Sequence, residues 1–336
     1  AGFVAQLGLS RLADIGLGAQ LLRGGLLMSL LGAVWMIFAV ELWEWIASRS
    51  LLGFGAGCVR PGLRRYVIVA DPKQAGKRLG TLAAWEMFGF LIGPIMASSL
   101  LLLWGLRAPF VAVAVSLIVL IPFAMRLRIS GTANPVQRAI RTLLMRPAMQ
   151  SCLLIGVAFY LAVGVFEAVW AVFMTDLGAS PLFIGATMSA FALPMIFVAP
   201  WAGSLAQRRN VLRLVTLTMT SAVACMVLYG VLTSLWWLCV PMVLHAVVDA
   251  ITMPATQLAV GYASGEGALA AGQGLFGATG LAVAALASVG AGALYEGLGA
   301  AGVWWVSAGA MVLCIVLATL RGKGHDWSSE AAGRFG

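Results

Sequence analysis

Almost the whole sequence is divided into apolar runs of about 20 residues or more. Ten can be marked, at about 22–41, 46–69, 79–103, 106–125, 150–175, 182–204, 212–233, 236–262, 268–295 and 301–320. No soluble core could absorb so many. Composition agrees: 62% of the 336 residues are hydrophobic and 10% charged, against about 45–50% and about 25% in soluble domains. A bilayer is the solvent that fits. There each backbone N–H and C=O must be paired inside its own segment, so each run reads as a spanning helix. The expected fold class is an all-α membrane protein.

The formal net charge of +9 would suit nucleic acid if it lay along one polar face. Instead, the Lys and Arg residues lie mostly between the runs, so no nucleic-acid partner is expected. Alternate connections carry Arg11 and Arg23; Lys73, Lys77 and Arg78; Arg126, Arg128, Arg138, Arg141 and Arg146; Arg208, Arg209 and Arg213; and Arg321, Lys323 and Arg334. The opposite set carries Glu41, Glu44, Asp176 and Glu296, with Arg107 as its one basic residue. Cytoplasmic loops are enriched in Lys and Arg. The long basic connection 126–149 and the C-terminus are therefore expected in the cytoplasm, with the chain crossing a cell membrane (a bacterial inner or plasma membrane) many times. Cys58, Cys152, Cys225, Cys239 and Cys314 lie in or beside the runs without Cys-x-x-Cys spacing and read as small buried hydrophobes.

A weak repeat divides the chain. "SRLAD" (Ser10–Asp14) returns as "GSLAQ" (Gly203–Gln207) 193 positions later, and "LWGLRA" (Leu103–Ala108) as "YEGLGA" (Tyr295–Ala300) 192 positions later. The second half holds six spans and begins near residue 150. Subtracting the offset puts the start of the first half roughly 45 residues before Ala1. The expectation is an N-terminally truncated chain with about 10 full spans of an original 12. Its expected parts are an incomplete N-terminal bundle (1–125), a cytoplasmic central loop (126–149), a six-helix C-terminal bundle (150–320) and a cytoplasmic tail (321–336).

Two six-helix halves joined by a long basic loop resemble the major facilitator superfamily. That family's loop after its second helix has the form Gly-x-Leu-Ala-Asp-Arg-x-Gly-Arg-Arg; "SRLADIGLG" keeps Leu12, Ala13 and Asp14, and "GSLAQRRN" keeps Gly203 and Arg208 with Gln207 in place of Asp. "RSLLGFG" (Arg49, Gly53, Gly55) matches the family's fourth-helix Arg-x-x-x-Gly-x-Gly. "GFLIGPIMAS" matches the fifth-helix motif of the antiporter branches at Gly89, Gly93 and Pro94, but ends in Ala97-Ser98. The resemblance implies proton-driven export, notably of drugs, and a gating role for Asp14.

The residues themselves suggest candidates. Gly89 and Gly93, four apart, would let two membrane helices approach closely, and Pro94 would permit a bend between rocking halves; plain packing is the other reading. Glu86 shares their face and could carry a proton, or lie shallow at its helix end. Arg49 opens its span, with Arg60 about 20° and Arg64 about 60° away around the helix; such a stripe would line an interior, with Arg49 serving proton coupling and Arg60 the substrate cavity. Arg60, Arg64 and Arg65 could equally be inner-side topology charges. His245 and Asp249 stand four apart in an apolar run, as a proton relay or a structural pair. Glu167, between Phe166 and Trp170, could receive a lipophilic cation, or simply pack. Two histidines do not suggest a metal cluster, and no Gly-x-x-x-x-Gly-Lys-Ser/Thr loop for ATP occurs. No cofactor or catalytic residue is expected. The expected activity is transport of a small solute by a monomer surrounded by membrane lipid, with protons as the coupling ion. An importer of a sugar or organic anion is the alternative within that class, and a non-transporting receptor or membrane enzyme the alternative outside it.

Overall fold

The computed structural model describes residues 1–136 and 139–328. Arg138 and Arg334, two of the expected loop charges, lie outside them. Among the described residues the regular structure is helical, in the order α1 (Gly2–Leu12), α2 (Gly18–Phe38), α3 (Leu42–Ala70), α4 (Ala75–Trp104), α5 (Ala108–Arg126), α6 (Ala139–Met145), α7 (Pro147–Asp176), α8 (Pro181–Arg208), α9 (Val211–Val231), α10 (Leu235–Ser264) and α11 (Leu269–Arg321). A wide π turn, Ala13–Leu17, joins α1 to α2.

Each of the ten runs lies in a helix apart from a few terminal residues, such as 39–41 beyond the end of α2. Among the described residues, eight segments are both long and apolar enough to cross a membrane. The exception is α3, whose length suffices but whose Arg49, Arg60, Arg64 and Arg65 make it too polar. At 1.5 Å per residue, the 53 residues of α11 would reach about 80 Å, well over twice the hydrocarbon thickness. The helix is broken at Gly299, whose φ of 68° suits a residue without Cβ, and the two expected spans 268–295 and 301–320 lie on either side. Leu102, Leu182, Phe197, Leu286 and Val289 are among many large apolar side chains left exposed. On a soluble protein so much exposed apolar surface would be an aggregation hazard; in lipid it is the solvated face. The central connection 126–149 is not all loop: α6 and the first turn of α7 lie within it.

The chain forms two compact units. The first comprises residues 1–70, 89–143 and 264–278. In it α3 packs along α1 and α2, and α2 along α5. Leu22, Ala124 and Ile129 form a small core there with Val59 and Tyr66 against it. The second comprises residues 71–88, 144–263 and 279–328. Ala83, Met195, Ala199 and Ala250 join α4, α8 and α10 in a core of small and flexible side chains. In this unit α4 and α8 approach backbone to backbone at Gly76 and Gly203: a Cβ on either would fall on the other's backbone carbonyl.

That contact differs from the one expected at Gly89 and Gly93. A Cβ added at either would meet nothing within 4 Å, and both glycines and Pro94 are exposed. The small-residue pair that brings helices together lies at the other end of α4. Helix α4 runs unbroken through Pro94.

Candidate functional site

The first candidate is built around Asp14 in unit one. The π turn directs its carboxylate at the start of α11, where Ala270 N–H donates to Oδ1 (2.9 Å) and Ala271 N–H to Oδ2 (2.8 Å). The first backbone N–H groups of a helix have no partner inside it, and the helix dipole favours negative charge there. Arg65 of α3 completes the arrangement: Nε donates to Asp14 Oδ1 at 3.1 Å, and Nη1 donates to Ser130 O. Asp14 and Arg65 are 1% and 2% exposed, so this pair is shielded from solvent, unlike a surface ion pair. Thr132 N–H donates to Asp14 O at 2.8 Å and holds the turn.

A neutral counterpart stands in unit two. Gly76 N–H, in the first turn of α4, donates to Gln207 Oε1 at 3.0 Å, while Gln207 Nε2 donates to Pro72 O at 2.6 Å. Gln207 is the residue that the repeat aligns with Asp14.

The second candidate lies deep in unit two. His245 Nε2 and Asp249 Oδ1 of α10 stand 3.6 Å apart, and neither atom has a hydrogen bond. Tyr229 Oη of α9 is hydrogen-bonded to His245 Nδ1 at 3.2 Å. The edges of Phe166 and Phe191 meet the imidazole ring at 6.4 and 5.6 Å between centroids. Trp304 packs on Tyr229 at 5.1 Å. An unpaired charge in such a place is strongly unfavourable. The net-neutral forms of the His–Asp pair each hold one titratable proton, whose loss would leave an unpaired buried carboxylate. Periodicity revealed the pair on α10 but not Tyr229, which reaches it from another helix.

The remaining candidates are dispersed. Trp170 is wholly buried; its indole N–H donates to Thr187 Oγ1 at 3.0 Å and its ring stacks on Phe166 at 4.6 Å. Its ring also packs against Phe173 and Tyr229. Glu167, one residue before Ala168 on the same helix, is exposed, away from the ring cluster that buries Phe166. Glu86 is half-buried on α4. Arg49 is exposed and lines a groove of about 440 Å³ with Trp45, Ile46, Ser50 and Gly53. The expected arginine stripe divides: Arg60 is also exposed, whereas Arg64 is buried, as is Arg65 on another face of the helix. Arg65 serves Asp14, a role that sequence spacing did not suggest.

Comparison with known proteins agrees with this architecture. The chain is 25% identical over 256 residues to the multidrug resistance protein MdtG of Proteus mirabilis (strain HI4320), covering 72% of this chain and 63% of that protein. It is 26% identical over 267 residues to MdtG of Dickeya zeae (strain Ech586), covering 76% and 65%. It thus spans less than two thirds of these relatives' length. Among solved structures, the E. coli fucose:proton symporter FucP superposes with a TM-score of 0.77 at 13% identity, over 95% of this chain and 87% of that one. The human organic anion transporter MFSD10 (TETRAN) gives 0.75 at 17%, over 95% and 82%. The sequence profile of the Major Facilitator Superfamily matches residues 1–166 and 152–334, nearly the whole length. The chain belongs to the Major Facilitator Superfamily.

Proposed function

We propose that the chain acts in a secondary transporter that exports hydrophobic, drug-like solutes by alternating access, driven by inward proton flow. The observation that carries this reading is the enclosed pair His245–Asp249, with its two unsatisfied facing atoms. A buried ionisable pair in a membrane helix is costly and is retained where a proton or substrate must be handled. Glu86 and Glu167 add carboxylates to otherwise apolar helices, where they can exchange protons or attract a cationic solute. The names of the MdtG relatives support drug export. In this reading Asp14 and Gln207 hold the cytoplasmic gate shut. The alternating basic connections support a cytoplasmic C-terminus in a cell membrane. The solute, protons and membrane lipid are the partners.

The test uses inside-out vesicles carrying the protein, with an acid interior. Lipophilic cations, neutral drugs and organic anions are added in turn and the pH gradient is followed. Collapse with cations or drugs, abolished by Asp249→Asn or Glu86→Gln, is expected. Collapse with anions alone would replace the proposal with an organic-anion carrier. Equal solute flux with and without the gradient would remove proton coupling.

A further inference from the structure

Lys73, Lys77 and Arg208 surround a pocket of about 280 Å³ in unit two, where the start of α4 meets the end of α8; Gln74, Ser204 and Gln207 complete its lining. Gln207 is fixed by its bonds to Gly76 and Pro72. Beneath it the two helices touch backbone to backbone at Gly76 and Gly203. The pocket therefore rests on rigid elements.

Its charge is unbalanced. All three cations are exposed, and no carboxylate lies within ion-pair distance of any of them among the described residues. The nearby acid, Asp71, is engaged by Arg78 at 3.4 Å. Three like charges around one small volume repel each other, and a bound anion removes that repulsion.

Its position indicates which anion. Lys77 stands just before the apolar run 79–103 and Arg208 just after the run 182–204, so the pocket lies where hydrocarbon gives way to headgroups. On α8, Arg208, Trp201 and Phe197 fall within about 20° of one line, spaced seven and four residues apart. Trp201 and Phe197 are exposed. The line begins with a cation, passes an indole about 10 Å deeper and continues over an apolar ring, the order of groups in a lipid entering the bilayer. Basic pockets at helix ends on the cytoplasmic side suit anionic headgroups.

We propose that Lys73, Lys77 and Arg208 bind a phosphate group of the kind an anionic phospholipid presents, with its acyl chain along Trp201 and Phe197. The purified full chain in detergent is titrated with phosphatidylglycerol, phosphatidylcholine and inorganic phosphate, and bound lipid is counted by native mass spectrometry. Phosphatidylglycerol should bind most tightly. Combining Lys73→Gln, Lys77→Gln and Arg208→Gln should weaken it on the order of 100-fold. The equally charge-depleted combination Arg126→Gln, Arg128→Gln and Arg141→Gln should leave it unchanged. Trp201→Ala with Phe197→Ala should weaken the lipid but not inorganic phosphate. Equal loss in both arginine/lysine combinations would overturn the site as diffuse attraction. Inorganic phosphate binding as tightly as the lipid would overturn the lipid assignment, as would equal binding of phosphatidylcholine. If the pocket combination does not fold, salt titration of the unmodified chain decides, and salt-independent phosphatidylglycerol binding would refute the proposal.

Discussion

Asp14→Ala is the most informative single change. The native carboxylate accepts two backbone N–H groups and one guanidinium N–H while almost fully buried. Its removal leaves the Ala270 and Ala271 donors without that acceptor and Arg65 without its counter-ion. Breaking a buried pair by deleting one partner costs about 3–5 kcal/mol. Arg65→Leu should cost less, because the carboxylate keeps both amide donors, and hydrogen bonds to a charged group contribute about 1.5–3 kcal/mol each. In the double variant no buried charge is orphaned, so its cost should fall short of the sum of the singles by about 0.5–3 kcal/mol. Two assays read this: thermal melting in detergent, and hydrogen exchange at the Ala270 and Ala271 amides. Asp14→Ala should lower the melting temperature and speed exchange at those amides more than elsewhere in α11. Unchanged protection there, or additive single effects, would show that the carboxylate does not hold the helix start.

The glycine contacts predict an inversion of what the motif suggests. Gly203→Ala should destabilise by at least about 1–3 kcal/mol through overpacking, whereas Gly89→Ala and Gly93→Ala should be neutral or raise the melting temperature, since each gains up to about 1 kcal/mol of helix propensity. Trp170→Ala should cost about 3–5 kcal/mol in chemical denaturation; a variant as stable as the parent but defective in solute binding would restore Trp170 to the cavity. Gln207→Ala should cost about 1–3 kcal/mol, less than Asp14→Ala, by the same melting assay. Glu44 Oε2 accepts from Val40 N–H at 2.8 Å and Glu41 N–H at 2.9 Å, and these bonds, that to Val40 foremost, hold its carboxyl below the usual range. Its folded pKa being the lower one, the cap is complete above the ordinary glutamate value and is lost as pH falls through the depressed one. Amide exchange at Val40, corrected for intrinsic rate, should therefore accelerate only in acid, and Glu44→Gln should weaken that dependence.

Helices and their ends were legible because each is a local pattern. The apolar runs gave the spans and left a gap at 296–300, where Gly299, with φ of 68°, interrupts α11; Gly105, with φ of 83°, follows α4 in the same way. Partners across the chain were not legible. Asp14 meets Arg65 across 51 positions and Ala270 across 256, and no periodicity encodes which helix start will face which turn. Arg65, about 160° around α3 from Arg49, was therefore read only as a possible inner-side topology charge, although it is the cation that meets Asp14. Gly89 and Gly93, against which no neighbour lies in this structure, show the same limit. Spacing of four puts two small residues on one face, but only the neighbouring helix decides whether that face is a contact, and the contact formed at Gly76 instead.

The same offset shows what the two halves kept and what they exchanged. Asp14 and Gln207 are 193 apart, and the amides that they accept from, Gly76 and Ala270, are 194 apart. Both copies thus meet the start of a helix with a side-chain oxygen, from the π turn after α1 in one and from the last turn of α8 in the other. The charge is not: the second copy has an amide where the first has a carboxylate, and Leu258 stands at the offset position of Arg65. A neutral cap is the weaker of the two, about 0.5–1.5 kcal/mol per bond against about 1.5–3 for a charged one, so the α4 start should release more readily than the α11 start. Replacing the acid also removes the one fixed negative charge that Lys73, Lys77 and Arg208 would have faced. The three cations and the amide are then one feature: the second copy holds no internal anion at this place, and the phosphate proposed above would supply one from outside.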